Sequence, residues 1–173
     1  LLWKSHSFLK TMQPHHLAQF NIARMLAPLD DPIMSAFVEQ LEAVNAIADQ
    51  SPGFVWRLIG DDPLGATSIR PYSDDRILIN LSVWDSIEAL SAYVYRNQHG
   101  KAMRNRQDWF EKSEQPTFVL WWIESGKIPT IAEAQARLEF LRQHGATAHA
   151  FTFRQPFSSP NYQPSGASYA VSD

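Results

Sequence analysis

ILINLSVWDSIEALSAYVYRNQHGKAMRNRQDWF, residues 77–110, reads as a strand that delivers polar groups straight into a long amphipathic helix. Side chains alternate along a strand, so Ile77, Ile79, Leu81 and Val83 share one face, and Leu78, Asn80, Ser82 and Trp84 share the other. The first face is core. The second carries an amide, a hydroxyl and an indole, and a buried polar group left unpaired costs about 1–3 kcal/mol. That face requires partners or a ligand.

Downstream of the strand, Asp85 or Ser86 caps the helix, Leu90, Tyr93 and Val94 form its apolar side, and a break near Asn97–Gly100 separates a second helical piece ending about Phe110. Upstream, Leu17–Ala23 alternates as a strand. A helix capped by Asp30 or Asp31 follows, with Pro32 at its first position and Ile33, Phe37, Val38, Leu41, Val44, Ile47 and Ala48 at helical spacing. Ser51-Pro52-Gly53 stops it, and Phe54–Ile59 gives a second strand. Thr117–Ile123 is a near-continuous apolar strand, Thr130 caps a helix bearing Ile131, Ala134, Leu138 and Leu141 that ends at Gly145, and Ala148–Phe153 gives a short edge strand. This order predicts an α+β fold, the ferredoxin-like β-α-β-β-α-β sheet. Helices cover one face of such a sheet. The aromatic residues of Phe54–Ile59 and Thr117–Ile123 are expected on the other, buried against a second copy to make a dimeric α/β barrel.

The 173 residues, 45% hydrophobic, fit one core domain at 14–154, with an N-terminal extension at 1–13 outside the fold and a loose tail at 155–173. A net charge of -3 and a pI near 6.1 give no footprint for nucleic acid or an anionic membrane. With no cysteine there is no disulfide framework, thiol nucleophile or thiolate metal site. No apolar run reaches the roughly 20 residues of a spanning helix, and a cytoplasmic location is expected.

On HLAQFNIAR, DDPIMSAFVEQLEAVNAIADQSPGFVWRL, NLSVWDSIEALSAYVYRNQH, FVLWW and AFTFRQPF, the chain from about His16 to Phe157 resembles the bacterial domain-of-unknown-function family 3291. The resemblance implies membership of the dimeric α/β-barrel superfamily. More distantly, that superfamily holds antibiotic-biosynthesis-type monooxygenases, haem-degrading enzymes and small-ligand regulators.

The cofactor-independent quinone-forming monooxygenases of that superfamily place an Asn and a Trp four positions apart on a strand, with an Arg on the next helix. Asn80, Trp84 and Arg104 or Arg106 are similar. The resemblance implies that the arginine stabilises a phenolate, Asn80 fixes the substrate oxygen, and the Trp84 indole N–H bonds a peroxy intermediate. Gln19, Asn21, Trp56, Ser82 and His99 would complete the walls around a small hydrophobic or aromatic molecule. The opposing reading has Asn80 and Trp84 satisfying each other and both arginines solvated. His99 sits where haem-binding relatives place a proximal histidine, and Asn21, Trp84 and His99 resemble the set of haem-degrading members, although Trp84 to His99 is a longer interval than theirs. Haem is the alternative to an expected absence of cofactor.

His15 and His16 are adjacent, so they diverge on a strand, and no His/Asp/Glu cluster has metal spacing. No G-x-S-x-G elbow or Gly-rich phosphate loop is present, which removes hydrolase, kinase and nicotinamide readings. Two readings survive: an oxygenase, which predicts an open pocket lined by Asn80, Ser82 and Trp84 with Gln19 or Asn21, and a non-catalytic dimeric binding module, which predicts those groups paired with one another.

Overall fold

Along the chain run β1 (His15–Arg24), α1 (Ser35–Asp49), β2 (Phe54–Arg57), β3 (Ile77–Trp84), α2 (Ile87–His99), α3 (Arg106–Trp109), β4 (Phe118–Glu124) and α4 (Ile131–His144). This computed structural model describes residues 14–61, 65–99 and 106–160, the side chains of 97–99 excepted. The expected extension at 1–13, Arg104, the His99 side chain and the tail beyond 160 lie outside the described residues.

The strands form one antiparallel sheet in the order β4-β1-β3-β2, with β1 and β3 central. The fold is the ferredoxin-like one, with α4 appended. Register builds three cross-strand rows on the polar face: Trp84, Leu17 and Trp122, then Ser82, Gln19 and Leu120, then Asn80, Asn21 and Phe118. That face is where α1 and α2 lie. Leu17, Trp84, Leu90, Leu120 and Phe151 make one core under α2, and Met25, Met34, Leu78 and Trp109 make another beside α1.

The opposite face is sealed within the single chain. Ala134, Leu138 and Leu141 of α4 pack on Ala18, Phe20, Leu81, Val119 and Trp121, and Phe20 and Trp121 are 0% exposed. The sequence reading assigned the cover of this sheet to a twin; the chain's own last helix provides it. The hollow also moves, from between two sheets to between the sheet and α1 and α2.

Local chemistry fixes these elements. Asp31 accepts from the Ile33 amide at 3.0 Å, and a 3-10 turn at Pro32–Met34 leads into α1. Ser86 Oγ accepts from the Ala89 amide at 3.1 Å and caps α2, and Thr130 Oγ1 does the same for Glu133 at 3.1 Å on α4. The edge strand expected at Ala148–Phe153 is reduced to a bridge in which Leu120 and Phe151 exchange backbone bonds of 2.8 and 2.9 Å. Turns closed by Thr147 with Ala150 and Thr152 with Gln155 stop it from extending. The tail expected to be loose from Gln155 starts out docked, because the Trp122 indole donates to the Phe157 carbonyl at 2.8 Å.

Candidate functional site

Between the sheet and α1 and α2 lies a cavity of about 470 Å³. Its floor is Gln19, Asn21, Leu78 and Asn80; its walls are Phe37, Leu41 and Val44 of α1, and Leu90, Tyr93 and Val94 of α2. Trp109, Phe110, Phe118 and Phe153 close one end; Asn45, Arg57, Ala66 and Thr67 border the other. An apolar enclosure with a few convergent polar groups is the usual form of a small-molecule site.

Arg106 reaches this space because the end of β1 holds its segment down. The Leu26 amide donates to the Trp109 carbonyl at 2.8 Å and the Glu111 amide to the Arg24 carbonyl at 2.9 Å. Arg24 also pairs with Glu111 and, at 2.6 Å, with Asp74. Arg106 itself has no carboxylate partner among the described residues; its guanidinium lies 6.0 Å from the centre of the Phe110 ring. Among the described lining residues it is the cation left free to meet an anionic ligand, since Arg57 is paired with Asp49.

A single hydrogen-bonded chain runs beneath the floor. Trp84 Nε1 donates to Ser82 Oγ at 2.9 Å, Ser82 Oγ donates to Gln19 Oε1 at 2.8 Å, and Gln19 Nε2 donates to Asn21 Oδ1 at 2.7 Å. Trp84 is 1% exposed, stacked on Tyr93 with ring centres 4.9 Å apart and edge-on to Phe54 at 5.3 Å. Asn80 stands exposed, and no described side chain bonds its amide.

Of the residues singled out from sequence, Gln19, Asn21, Asn80 and Arg106 line the cavity. Ser82 and Trp84 do not. The indole N–H assigned to a peroxy intermediate is committed to Ser82, because Trp84, at the end of the strand, is covered by α2. Nor do Asn80 and Trp84 satisfy each other. Trp56 sits on the opposite face, opposite Val83, because an irregularity between Phe54 and Trp56 turns Arg57 toward Ser82 and the cavity side. Arg57 bonds Asp49 through Nε at 2.7 Å and Nη2 at 3.1 Å, which holds the Asp49 carboxyl below the ordinary carboxylate range. Among the described residues no three His, Asp or Glu side chains gather as a metal-binding set.

The α1 contribution was not read from sequence. Phe37, Leu41 and Val44 have core periodicity, yet all are only half-buried because the helix stands off the sheet. A helical period marks the inward face; it is silent on what lies opposite.

The profile of the family described as "Domain of unknown function (DUF3291)" matches residues 16–167. Curated proteins give no match. Among solved structures, one from Chloroflexus aurantiacus J-10-fl, provisionally named an antibiotic biosynthesis monooxygenase, is similar at 17% identity over 67% of this chain and 98% of its own, with a TM-score of 0.36.

Proposed function

The chain belongs to the DUF3291 family, and from that premise we propose that its cavity binds a small hydrophobic aromatic compound and supports a cofactor-independent, monooxygenase-like reaction. The observation that carries the reading is the placement of Asn21, Asn80 and Arg106 on an otherwise apolar cavity of about 470 Å³. Aromatic and aliphatic walls take the ring system, and the amides take an oxygen substituent.

Oxygen reacts with a phenol or enol through its electron-rich anion. Arg106 and the floor amides would favour that anion electrostatically, against walls that are otherwise apolar. The described lining contains no carboxylate or imidazole, so the proton would leave to solvent or to the oxygen being reduced. For an anthrone-like substrate the ring methylene loses two hydrogens and gains one oxygen atom, and the second oxygen leaves as water. The described lining of the cavity comes from one chain.

Oxygen uptake with a panel of anthrones and naphthols tests the reading. Turnover that falls at least tenfold in Asn80→Ala and Arg106→Ala supports it, and turnover unchanged in both variants removes the site assignment. A second reading, a binding module without turnover, is favoured by the self-satisfied set Gln19, Ser82 and Trp84; ligand binding without oxygen uptake would select it.

A further inference from the structure

The hydrogen-bonded chain under the floor has a favoured direction, and that direction determines what the cavity offers a ligand. An indole nitrogen can only donate. Trp84 Nε1 donates to Ser82 Oγ at 2.9 Å, so the one hydroxyl hydrogen of Ser82 is free to pass to Gln19 Oε1 at 2.8 Å. With its oxygen accepting from Ser82, Gln19 must present its NH2 group to Asn21, and Asn21 must answer with its oxygen, at 2.7 Å. Turning both amides over would strip the buried Ser82 hydroxyl hydrogen of its acceptor on Gln19, so the direction from Trp84 to Asn21 is the one that keeps every donor of the chain paired. The last group in the chain, Asn21 Nδ2, lines the cavity, and no described group takes up its hydrogens.

We propose that Trp84 is a positioning residue that polarises the cavity floor as a hydrogen-bond donor, so that the ligand enters with an acceptor oxygen, a phenolate, enolate or ring carbonyl, against Asn21. This rests on the binding reading above and narrows it. Asn80, opposite Asn21 in the strand register, can turn its own amide to add a second donor, and Arg106 supplies charge. A ligand offering only donors would face the NH2 of Asn21 unpaired. Trp84 thus acts on the ligand without touching it.

Para-nitrophenol and a nitronaphthol, whose anions absorb in the visible, serve as probes. Bound to the protein, each should ionise at a pH roughly one unit or more below that of the free probe, a tenfold preference for the anion. Within the unaltered protein, naphtholate should bind at least tenfold tighter than naphthylamine. In Trp84→Phe the probe should still bind while the amides' share of its ionisation shift is lost and the share from Arg106 stays, since the amides are released to turn. Side-chain amide resonances of Gln19 and Asn21, sharp in the parent and exchange-broadened in Trp84→Phe, report the same event. Should Trp84→Phe fail to fold, the naphtholate-to-naphthylamine ratio and the probe ionisation in the parent protein still decide. Binding of the probes with no lowered ionisation, or with naphthylamine preferred, overturns the donor floor alone. If no naphthyl probe binds at all, the cavity reading falls and takes the donor floor with it.

Discussion

Asn21 and Asn80 face each other directly across β1 and β3, so their side chains rise from one patch of the cavity floor, within the 4.5–5.5 Å or so that separates opposed Cβ atoms. They differ in surroundings: Asn21 is held by Gln19, and Asn80 is exposed to the cavity.

For Asn80→Ala the expected result is loss of ligand affinity with the fold left alone. A hydrogen bond to a ligand oxygen is worth about 1–1.5 kcal/mol, close to tenfold in affinity. Removing a side chain without a described partner should change unfolding free energy by no more than about 0.5 kcal/mol. Calorimetric titration with a naphthol and urea denaturation measure the two quantities, and a large stability loss would place Asn80 in the structural framework.

Leu138→Ala should destabilise the protein by about 2–5 kcal/mol, the usual cost of deleting a buried leucine side chain from a packed core. Leu138 is 1% exposed on the inward face of α4, whereas Ile128 is 59% exposed and its alanine variant should be near neutral. Denaturation midpoints of the two variants decide whether α4 is an integral cover of the sheet; a small effect at Leu138 would show a loosely applied helix.

Gly53→Ala should cost more than about 1 kcal/mol, from backbone conformation and a close approach together. Gly53 has φ +80, and a Cβ there would run into Asp85 Oδ1 and lie 2.5 Å from Ala89 Cβ. Asp85 leads into α2 and Ala89 lies in its first turn, so a thermal melt should register the loss, and ligand affinity should fall with it because Leu90 and Val94 line the site.

His149 gives a pH dependence of known sign. Arg137 Nη1 lies 2.8 Å from its Nδ1 and donates to its carbonyl at 2.7 Å. Desolvation first, and the charge of Arg137 second, hold the imidazole below its ordinary value of 6.5, with Glu133 opposing them. Above that value neither the folded nor the unfolded state carries the proton, and His149 is neutral to stability. As pH falls below it the unfolded chain protonates first, so stability declines until the folded imidazole titrates too. Melting temperatures followed from about pH 8 to about pH 5 should fall more steeply in the parent than in His149→Gln, and superimposable slopes would remove the contact from the account.

The strands and helices were legible because each carries a local signal: period two at Leu17–Ala23 and Ile77–Trp84, side-chain caps at Asp31, Ser86 and Thr130, and Gly145 at the end of the last helix. Gln19, Asn21 and Asn80 were legible as a polar strip by the same alternation. Trp84 and Ser82 lie in that strip too, yet depth along a strand depends on which helix crosses it, and α2 covers them. Trp56 was misplaced by one irregularity that local sequence does not mark, and the cover of the second face depended on where α4 docks, a tertiary fact.

The stand-off of α1 turns the molecule into its own detector. Phe37, Leu41 and Val44 await contacts that a snug guest would complete, and any compound that binds only the folded state raises the melting temperature, adding stability that grows with the logarithm of its concentration over its dissociation constant, about 2.7 kcal/mol at a hundredfold excess. Warming the protein against a library of ring compounds therefore ranks them as guests by the shift each one gives.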